Sequence, residues 1–522
     1  MEKFTSWFRF QNGFFDSEVM GLCDIPGHGR GAYALKDIPE GYPLFSLPRN
    51  LTLSMRTSSL PEKFGREVWT EKGLNTGWVG LILCMMYEES LGESSKWSGY
   101  LDVLPSTFDT PMFWSEEDIK ELQGTAVVDK IGRGEAEKDY NEKLIPAIQS
   151  RPDLFPPEVI PRFYSLERYH IMGSRILSRS FHVSEWKPSD HDEEDEDEAD
   201  ENDHHDGEEG EGYVEANTSL GSAMDVDEPE IRTEGDEDDS DSDDEDVEDP
   251  SDVAMVPMAD MLNARFESEN AKLFYEPTEL KMITTRPIKA GEQIWNTYGD
   301  PPNSDLLRRY GHVDVVPFPP TFNSPICIKT PGIEGNPADV VEIRADLVVE
   351  SVKKKKLASM NGGNKGGKDD EMKERVDWWL EFADDDVFVL STDCTVPEDL
   401  ISLARLLLLS SSDWKRAKEK SKLPKPAMDE ETLPIVIDVF ERRLKEYLTT
   451  LNYDEAALKD SSALSTNKRS AIVVRIGEKR ILDGTLQELK DLKKKLAKEK
   501  RDGNRKRKVE DTDSGRNKKS RR

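Results

Sequence analysis

Residues Gly27-His28-Gly29-Arg30-Gly31-Ala32 have the G-x-G-x-x-A spacing of a loop that cradles a dinucleotide pyrophosphate. Such a loop needs a helix directly after it, whose first amides meet the phosphate. Here Ala32-Tyr33-Ala34-Leu35 reads as a strand and Pro39-Glu40-Gly41 as a turn, so the glycines belong to a tight turn between strands. Gly362 to Lys368 imitates a P-loop, but Asp369 stands where Ser or Thr would ligate magnesium and no apolar strand precedes it. The four cysteines, Cys23, Cys84, Cys327 and Cys394, are far apart with no C-x-x-C pair, which argues against a zinc cage or a disulfide framework and for reduced, intracellular thiols. His204-His205 lie in an acidic run and read as solvated charge, while His170 and His312 stand alone, so no metal site is expected.

The elements that position any site come in two folded regions, because a single core stops growing at roughly 250–300 residues and the chain has 522. Strands are expected over Ala32 to Leu35 and Tyr42 to Leu47, then at Met255 to Met258, Lys272 to Tyr275, Lys281 to Thr285 and Gln293 to Tyr298. Helices are expected at Gly77 to Leu91, Glu116 to Val127, Glu135 to Gln149 and Pro157 to Leu177. Further helices are expected at Val376 to Phe382, Pro397 to Leu409, Leu433 to Leu448 and Thr466 to Lys500, with Trp378-Trp379 and Leu406 to Leu409 in their core. Lys353 to Asp370, rich in Lys and Gly, is expected to be a flexible loop.

The net charge of -35 is concentrated. Asp190 to Asp249 holds 32 acidic residues against Arg232 alone, too few apolar side chains to offset ordering entropy, and is expected to be a disordered insert. Lys490 to Arg522 carries 16 basic and six acidic residues. The longest apolar run, Trp78 to Tyr87, is far below the roughly 20 residues of a membrane span, and Met1 to Phe15 lacks a signal-peptide core, so a soluble protein is expected.

Single motifs say little, but their ordered series says more. Gly29-Arg30-Gly31 after His28 is followed by Ser178-Arg179-Ser180-Phe181, Asp260-Met261-Leu262-Asn263, Asn296-Thr297-Tyr298-Gly299, then Asn303 and Arg309-Tyr310-Gly311. Gly77-Trp78-Val79, Pro111-Met112-Phe113-Trp114 and Arg475-Ile476-Gly477 extend the series over nearly the whole chain. In this the chain resembles the SET family of protein lysine methyltransferases. It looks like the branch holding plant Rubisco lysine methyltransferase, the animal SET-domain-containing protein six and the fungal ribosomal lysine N-methyltransferase four. The resemblance implies an α+β fold: a SET domain of small β-sheets with a knotted C-terminal segment and a helical insertion, followed by an all-α substrate-binding domain. The implied boundaries are 1–189 and 253–316 for the SET domain, 190–252 for the acidic insert, 317–490 for the helical domain and 491–522 for a basic tail. It implies S-adenosyl-L-methionine as cofactor, held by His28, Gly29, Arg30, Arg179, Asn263, Ala264 and Tyr310. It implies substrate contacts at Trp78 and His182, and catalysis by Tyr298. One residue departs from the family pattern: the usual Asn-His pair is Asn263-Ala264, so any hydrogen bond the histidine makes elsewhere is missing.

The chemistry such residues would serve is clear. A sulfonium makes its methyl a good electrophile, so the protein must present a neutral amine in line with it. Lysine has a free pKa of about 10.4, and neutralising it near pH 7 costs roughly 4–5 kcal/mol. A narrow aromatic channel that desolvates the ammonium lowers this cost; Tyr298 would orient the amine, with Tyr310 and Trp78 as walls. The bland alternative makes these tyrosines sheet and core aromatics only. The resemblance to the fungal branch implies a basic ribosomal protein of the large subunit, singly methylated, as substrate. The rivals are a chromatin or transcription protein as substrate, or a non-catalytic acidic binder of basic proteins.

Arg505-Lys506-Arg507-Lys508 and Lys518-Lys519-Ser520-Arg521-Arg522 are basic clusters of the kind importins read, so nuclear entry is expected, with no membrane and no direct nucleic-acid role; a nucleic-acid-binding tail is the competing reading. Deleting Asn504 to Arg522 should leave a fluorescently tagged protein in the cytoplasm; unchanged nuclear accumulation would remove the expectation.

Overall fold

The computed structural model describes residues 1–25, 29–186, 249–319, 322, 324–330, 332–358, 366–383, 385–460 and 464–517. His28, the acidic segment up to residue 248 and Lys518 to Arg522 lie outside them. The chain divides into two compact units. One holds residues 1–113, 132–301 and 309–311; the other holds 114–131, 302–308 and 312–522.

The strands of the first unit are β1 (Phe14–Phe15), β2 (Met20–Ile25), β3 (Gly29–Ala34), β4 (Pro43–Pro48), β5 (Ser180–His182), β6 (Val253–Met255), β7 (Ala271–Tyr275), β8 (Glu279–Thr284) and β9 (Gln293–Ile294). They form small antiparallel sheets in the orders β1-β4-β8-β7, β2-β3-β9 and β5-β6. Period-two alternation decides their faces. Along β8 Leu280, Met282 and Thr284 are buried, while Glu279, Lys281 and Ile283 are only partly covered. The β5-β6 pair rejoins the chain across the acidic insert, with Ser180 opposite Met255 and His182 opposite Val253.

Two helices carry the weight of this unit. Val79–Ser90 is apolar all round and almost wholly buried, as a helix in the middle of a core must be. Leu166–Arg179 starts where the Ser165 side chain accepts a hydrogen bond from the Arg168 amide, an N-cap. Glu89 on the first helix bonds Arg168 and lies 3.3 Å from buried Arg175 on the second. The second helix runs straight into β5, which fixes where Arg179, Phe181 and His182 emerge.

Several expected elements are shorter than the apolar pattern implied. Pro157 to Leu177 breaks into Ile160–Phe163 and Leu166–Arg179, because Ser165 restarts the helix. Glu116 to Val127 is helical only over Glu116–Lys120, and by Gly124 the backbone is left-handed at φ +87. Beyond Ile294 the expected strand to Tyr298 leaves the sheet. A helix that the charged residues of the N-terminus disguised, Glu2–Phe10, packs Phe4 and Phe8 into the core.

The second unit is helical in the main, with Ala345–Ala358, Gly366–Leu380, Glu398–Leu408, Leu433–Arg443, Leu451–Lys459 and Thr466–Asn517. Trp378, Trp379, Leu406 and Leu407 are buried in its core, as expected. It is not all-helical: Val340–Arg344 pairs antiparallel with Val387–Ser391, two runs rich in β-branched residues. Of the expected loop Lys353 to Asp370, the first residues complete Ala345–Ala358 and the last open Gly366–Leu380.

Within this unit Asp454, 0 % exposed, accepts bonds from Thr449, from Arg475 at 2.8 Å and from Lys479 at 2.5 Å. A buried charge network is costly to leave half made. Asp454→Asn should therefore lower unfolding free energy by about 3–5 kcal/mol, read by urea denaturation of the full chain; a loss below about 1 kcal/mol would show that solvent replaces the carboxylate.

Candidate active site

The floor of the site is made where Leu166–Arg179 ends. Arg179 Nη1 donates to the main-chain oxygen of Asp260 at 2.7 Å and lies 3.6 Å from its Oδ2. Asp260 is presented by the 3-10 turn Ala259–Met261. Just before it Met258, fully buried, has φ +80, a backbone conformation costing about 1–3 kcal/mol that survives only where packing imposes it. Asp260 is itself 7 % exposed, and its Oδ2 accepts a bond from the Tyr100 hydroxyl at 3.0 Å. Burial raises its pKa above the ordinary carboxylate value, against the pull of Arg179 and Tyr100.

The wall is aromatic. After β9 the chain turns away, and the Asn296 amide donates to the Asn263 carbonyl at 2.9 Å while Ala264 and Asn296 form a parallel bridge. This pairing is between main chains, so alanine sustains it without a histidine at position 264. It carries Tyr298 to a place where its hydroxyl donates to the Leu262 carbonyl at 3.3 Å and its ring stacks on Tyr310, centroids 4.3 Å apart and planes 7° from parallel. Burial, then Tyr310, pushes the Tyr298 hydroxyl well above the ordinary phenol pKa, so it stays protonated and can donate or accept. Tyr298, Tyr310, Arg179, His182, Asp260 and Tyr275 are among the residues lining a cavity of about 40 Å³. That is room for a slender chain end, far below a drug-sized pocket.

The structure thus brings four of the sequence-derived site residues, Arg179, His182, Tyr298 and Tyr310, around one cavity. Asn263 and Ala264 adjoin it through Asn296. Gly29 and Arg30 open β3, where Gly29 adopts φ +67 and Arg30 donates to the Val103 carbonyl at 2.7 Å. At the residue after Arg30 a Cβ on Gly31 would lie 2.7 Å from Asn263 Nδ2 and Ile25 Cδ1, so a side chain there would have to displace Asn263 or Ile25. Trp78 caps Val79–Ser90, half-buried against the core, and is not among the cavity-lining residues. Asn303 serves the second unit, its amide donating to Asp339 at 2.8 Å and its side chain to the Asp314 carbonyl. Motif reading missed Asp260, Tyr275, Asn296 and Arg309 as lining residues. Asp260 had a signal, as the lone acid in the apolar run from Met255 to Leu262.

Of the cavity-lining residues, Arg179 Nε, Asp260 Oδ1 and Asn296 Oδ1 lie buried with no hydrogen-bond partner among the described residues, as do Asn263 Nδ2 and Gln293 Nε2 beside Gly31. Each such atom costs about 1–3 kcal/mol if left so. Donors and acceptors together suit a zwitterionic ligand.

Comparison with known proteins decides the family. Residues 29–299, over half of the chain, match the SET domain model, and residues 366–482 match the Rubisco LSMT substrate-binding model. This chain belongs to the SET-domain N-lysine methyltransferase family. The yeast Ribosomal lysine N-methyltransferase 4 (Saccharomyces cerevisiae) is 32% identical over 302 residues, covering 57% of this chain and 51% of that protein. The N-lysine methyltransferase setd6 of Xenopus laevis is 26% identical and covers 92% of this chain and 96% of that one. The fold is that of the SET domain of LSMT solved with lysine and AdoHcy, with a TM-score of 0.60, 17% identity and coverage of 95% and 92%. SET methyltransferases take their methyl group from S-adenosylmethionine. The mixed fold of helices and small sheets expected of a SET methyltransferase is the one observed.

Proposed function

We propose that this SET methyltransferase places a single methyl on a lysine of a basic ribosomal protein of the large subunit, with Tyr298 orienting the amine. The observation that carries the reading is the stacked Tyr298–Tyr310 pair walling a narrow cavity above Arg179 and Asp260. Such a slot strips water from an incoming ammonium and so eases its loss of a proton. The cofactor supplies a sulfonium-bound methyl. Gly29, Arg30, Arg179, Asn263, Ala264 and Tyr310 would hold it, with His28, which lies outside the described residues, at the same turn. Asn263 Nδ2, buried and unpartnered, is suited to donate to it. His182, whose Nε2 is 3.3 Å from Asp252, and Trp78 would contact the substrate chain.

The ribosomal choice is supported by the yeast relative's name and by charge. The segment Asp190 to Asp249 attracts lysine- and arginine-rich proteins over a range set by salt, and the chain resumes beside the cavity, where Arg56 bonds Asp249 and Asp252. A second reading, a non-ribosomal substrate such as a chromatin or transcription protein, is favoured by the longer match to the setd6 proteins. The basic tail supports a nuclear site of action through importins.

Radiolabelled methyl transfer into separated ribosomal and chromatin fractions decides between them. A labelled large-subunit protein is expected, and label in the chromatin fraction alone would select the second reading. With that substrate, Tyr298→Phe should cost roughly 2–4 kcal/mol of transition-state stabilisation, a loss of about 30- to 900-fold in kcat, with little change in cofactor Kd. Asn263→Ala should weaken cofactor binding itself. A Tyr298→Phe enzyme with full kcat would mean that another group orients the amine.

A further inference from the structure

A slot that must receive a lysine ammonium next to a sulfonium faces a problem of charge. Both reactants arrive as cations. The chain's own groups near them are largely cationic too: Arg179 at the floor, Arg309 in the cavity lining, and Arg30 and Arg175 close enough to act on the buried Asp260–Tyr100 pair. Like charges confined in a low-dielectric site repel far more strongly than in water, so an uncompensated wall would disfavour the substrate.

Among the residues lining the cavity there is one carboxylate, Asp260. It is 7 % exposed, its Oδ2 is bonded to Tyr100 and lies near Arg179, and its Oδ1 has no hydrogen-bond partner among the described residues. A strained Met258 backbone holds the turn that presents it. The other titratable groups that face it or share its cavity are Tyr275, Tyr298, Tyr310 and His182. One of its oxygens is thus uncommitted to any partner among the described residues, beside the slot.

We propose that Asp260 is a positioning residue that sets the electrostatic balance of the slot. By holding Arg179 and offsetting the surrounding guanidinium charge, it admits the lysine ammonium and fixes the pH at which the bound amine becomes neutral. The inference rests on the methyltransferase reading and gives a role to a residue that the motif series contained but left without one. Its sign follows from charge alone. A fixed anion favours the ammonium, which tightens binding and raises the pH at which the proton leaves. Removing that anion leaves the guanidinium charges unopposed, so the substrate binds less well but loses its proton more readily once bound.

The test measures methyl transfer from S-adenosylmethionine to a lysine peptide by the full-length wild type, Asp260→Asn and Tyr100→Phe, as a function of pH. The kcat profile reports groups in the enzyme–substrate complex. In Asp260→Asn the acid limb of kcat should move down by about one pH unit, and KM for the peptide should rise about tenfold. Tyr100→Phe strips from the carboxylate a donor that favours its charged form, so its acid limb should move down in the same direction, by less. This second variant decides the matter if Asp260→Asn does not fold, as judged by circular dichroism. An Asp260→Asn limb within about 0.2 unit of wild type, or a Tyr100→Phe limb that rises or stays, would overturn the role of Asp260. No transfer by the wild type to any lysine substrate would instead overturn the functional reading on which it rests.

Discussion

The pairing of Asn263-Ala264 with Asn296 is the contact on which the site depends. It joins the end of the turn that presents Asp260 to the segment that presents Tyr298, two pieces of chain separated by the whole β7-β8 hairpin. One hydrogen bond of this kind is worth only about 0.5–1.5 kcal/mol net. It holds because both arms are anchored on apolar neighbours, Leu262 at 1 % exposure on one side and Ile294 at 0 % on the other. Gly31 completes the arrangement, since a Cβ there would have to displace Asn263 or Ile25. Sheet, turn and aromatic wall are thus fixed against one another before any ligand arrives, the preorganisation that a positioning enzyme needs.

The same packing explains how polar groups survive there. Arg179, Asp260 and Tyr100 answer one another in a buried chain of contacts, while Arg179 Nε, Asp260 Oδ1 and Asn296 Oδ1 at the cavity remain unpartnered among the described residues. Buried polar atoms are costly, and proteins retain them mostly where a ligand or a reaction uses them. The second unit shows the contrasting case: Asp454 is as deeply buried, yet accepts bonds from three side chains on its own unit and has a structural role.

Much of this was legible in the residues. The strand-turn-strand around Pro39-Glu40-Gly41, the buried helix after Trp78 and the helical second region follow from periodicity and turn chemistry. The motif series located Arg179, Asn263, Tyr298 and Tyr310 in order. Periodicity could not reveal that Ser165 and Gly124 interrupt helices, because a cap or a left-handed residue acts on one peptide unit and leaves the apolar pattern intact. Nor could it place Trp78 outside the cavity lining, since a half-buried aromatic beside a site and one against a core look the same in a sequence. The Val340–Arg344 and Val387–Ser391 strands were hidden among helices because their partners are far apart in the chain. Asp260 was read as part of a motif and not as a buried charge, a property that only the fold discloses.

The central claim is that segments distant in the chain form one cofactor site. Hydrogen exchange of the full-length protein with and without saturating S-adenosylhomocysteine tests it directly, by mass spectrometry of peptides spanning 29–34, 179–182, 260–264 and 294–298. Slowed exchange in all four on adding the ligand is the expected result. Binding that protects only one of them, or that protects the second unit and leaves these unchanged, would contradict a single site built on the Asn263–Asn296 pairing.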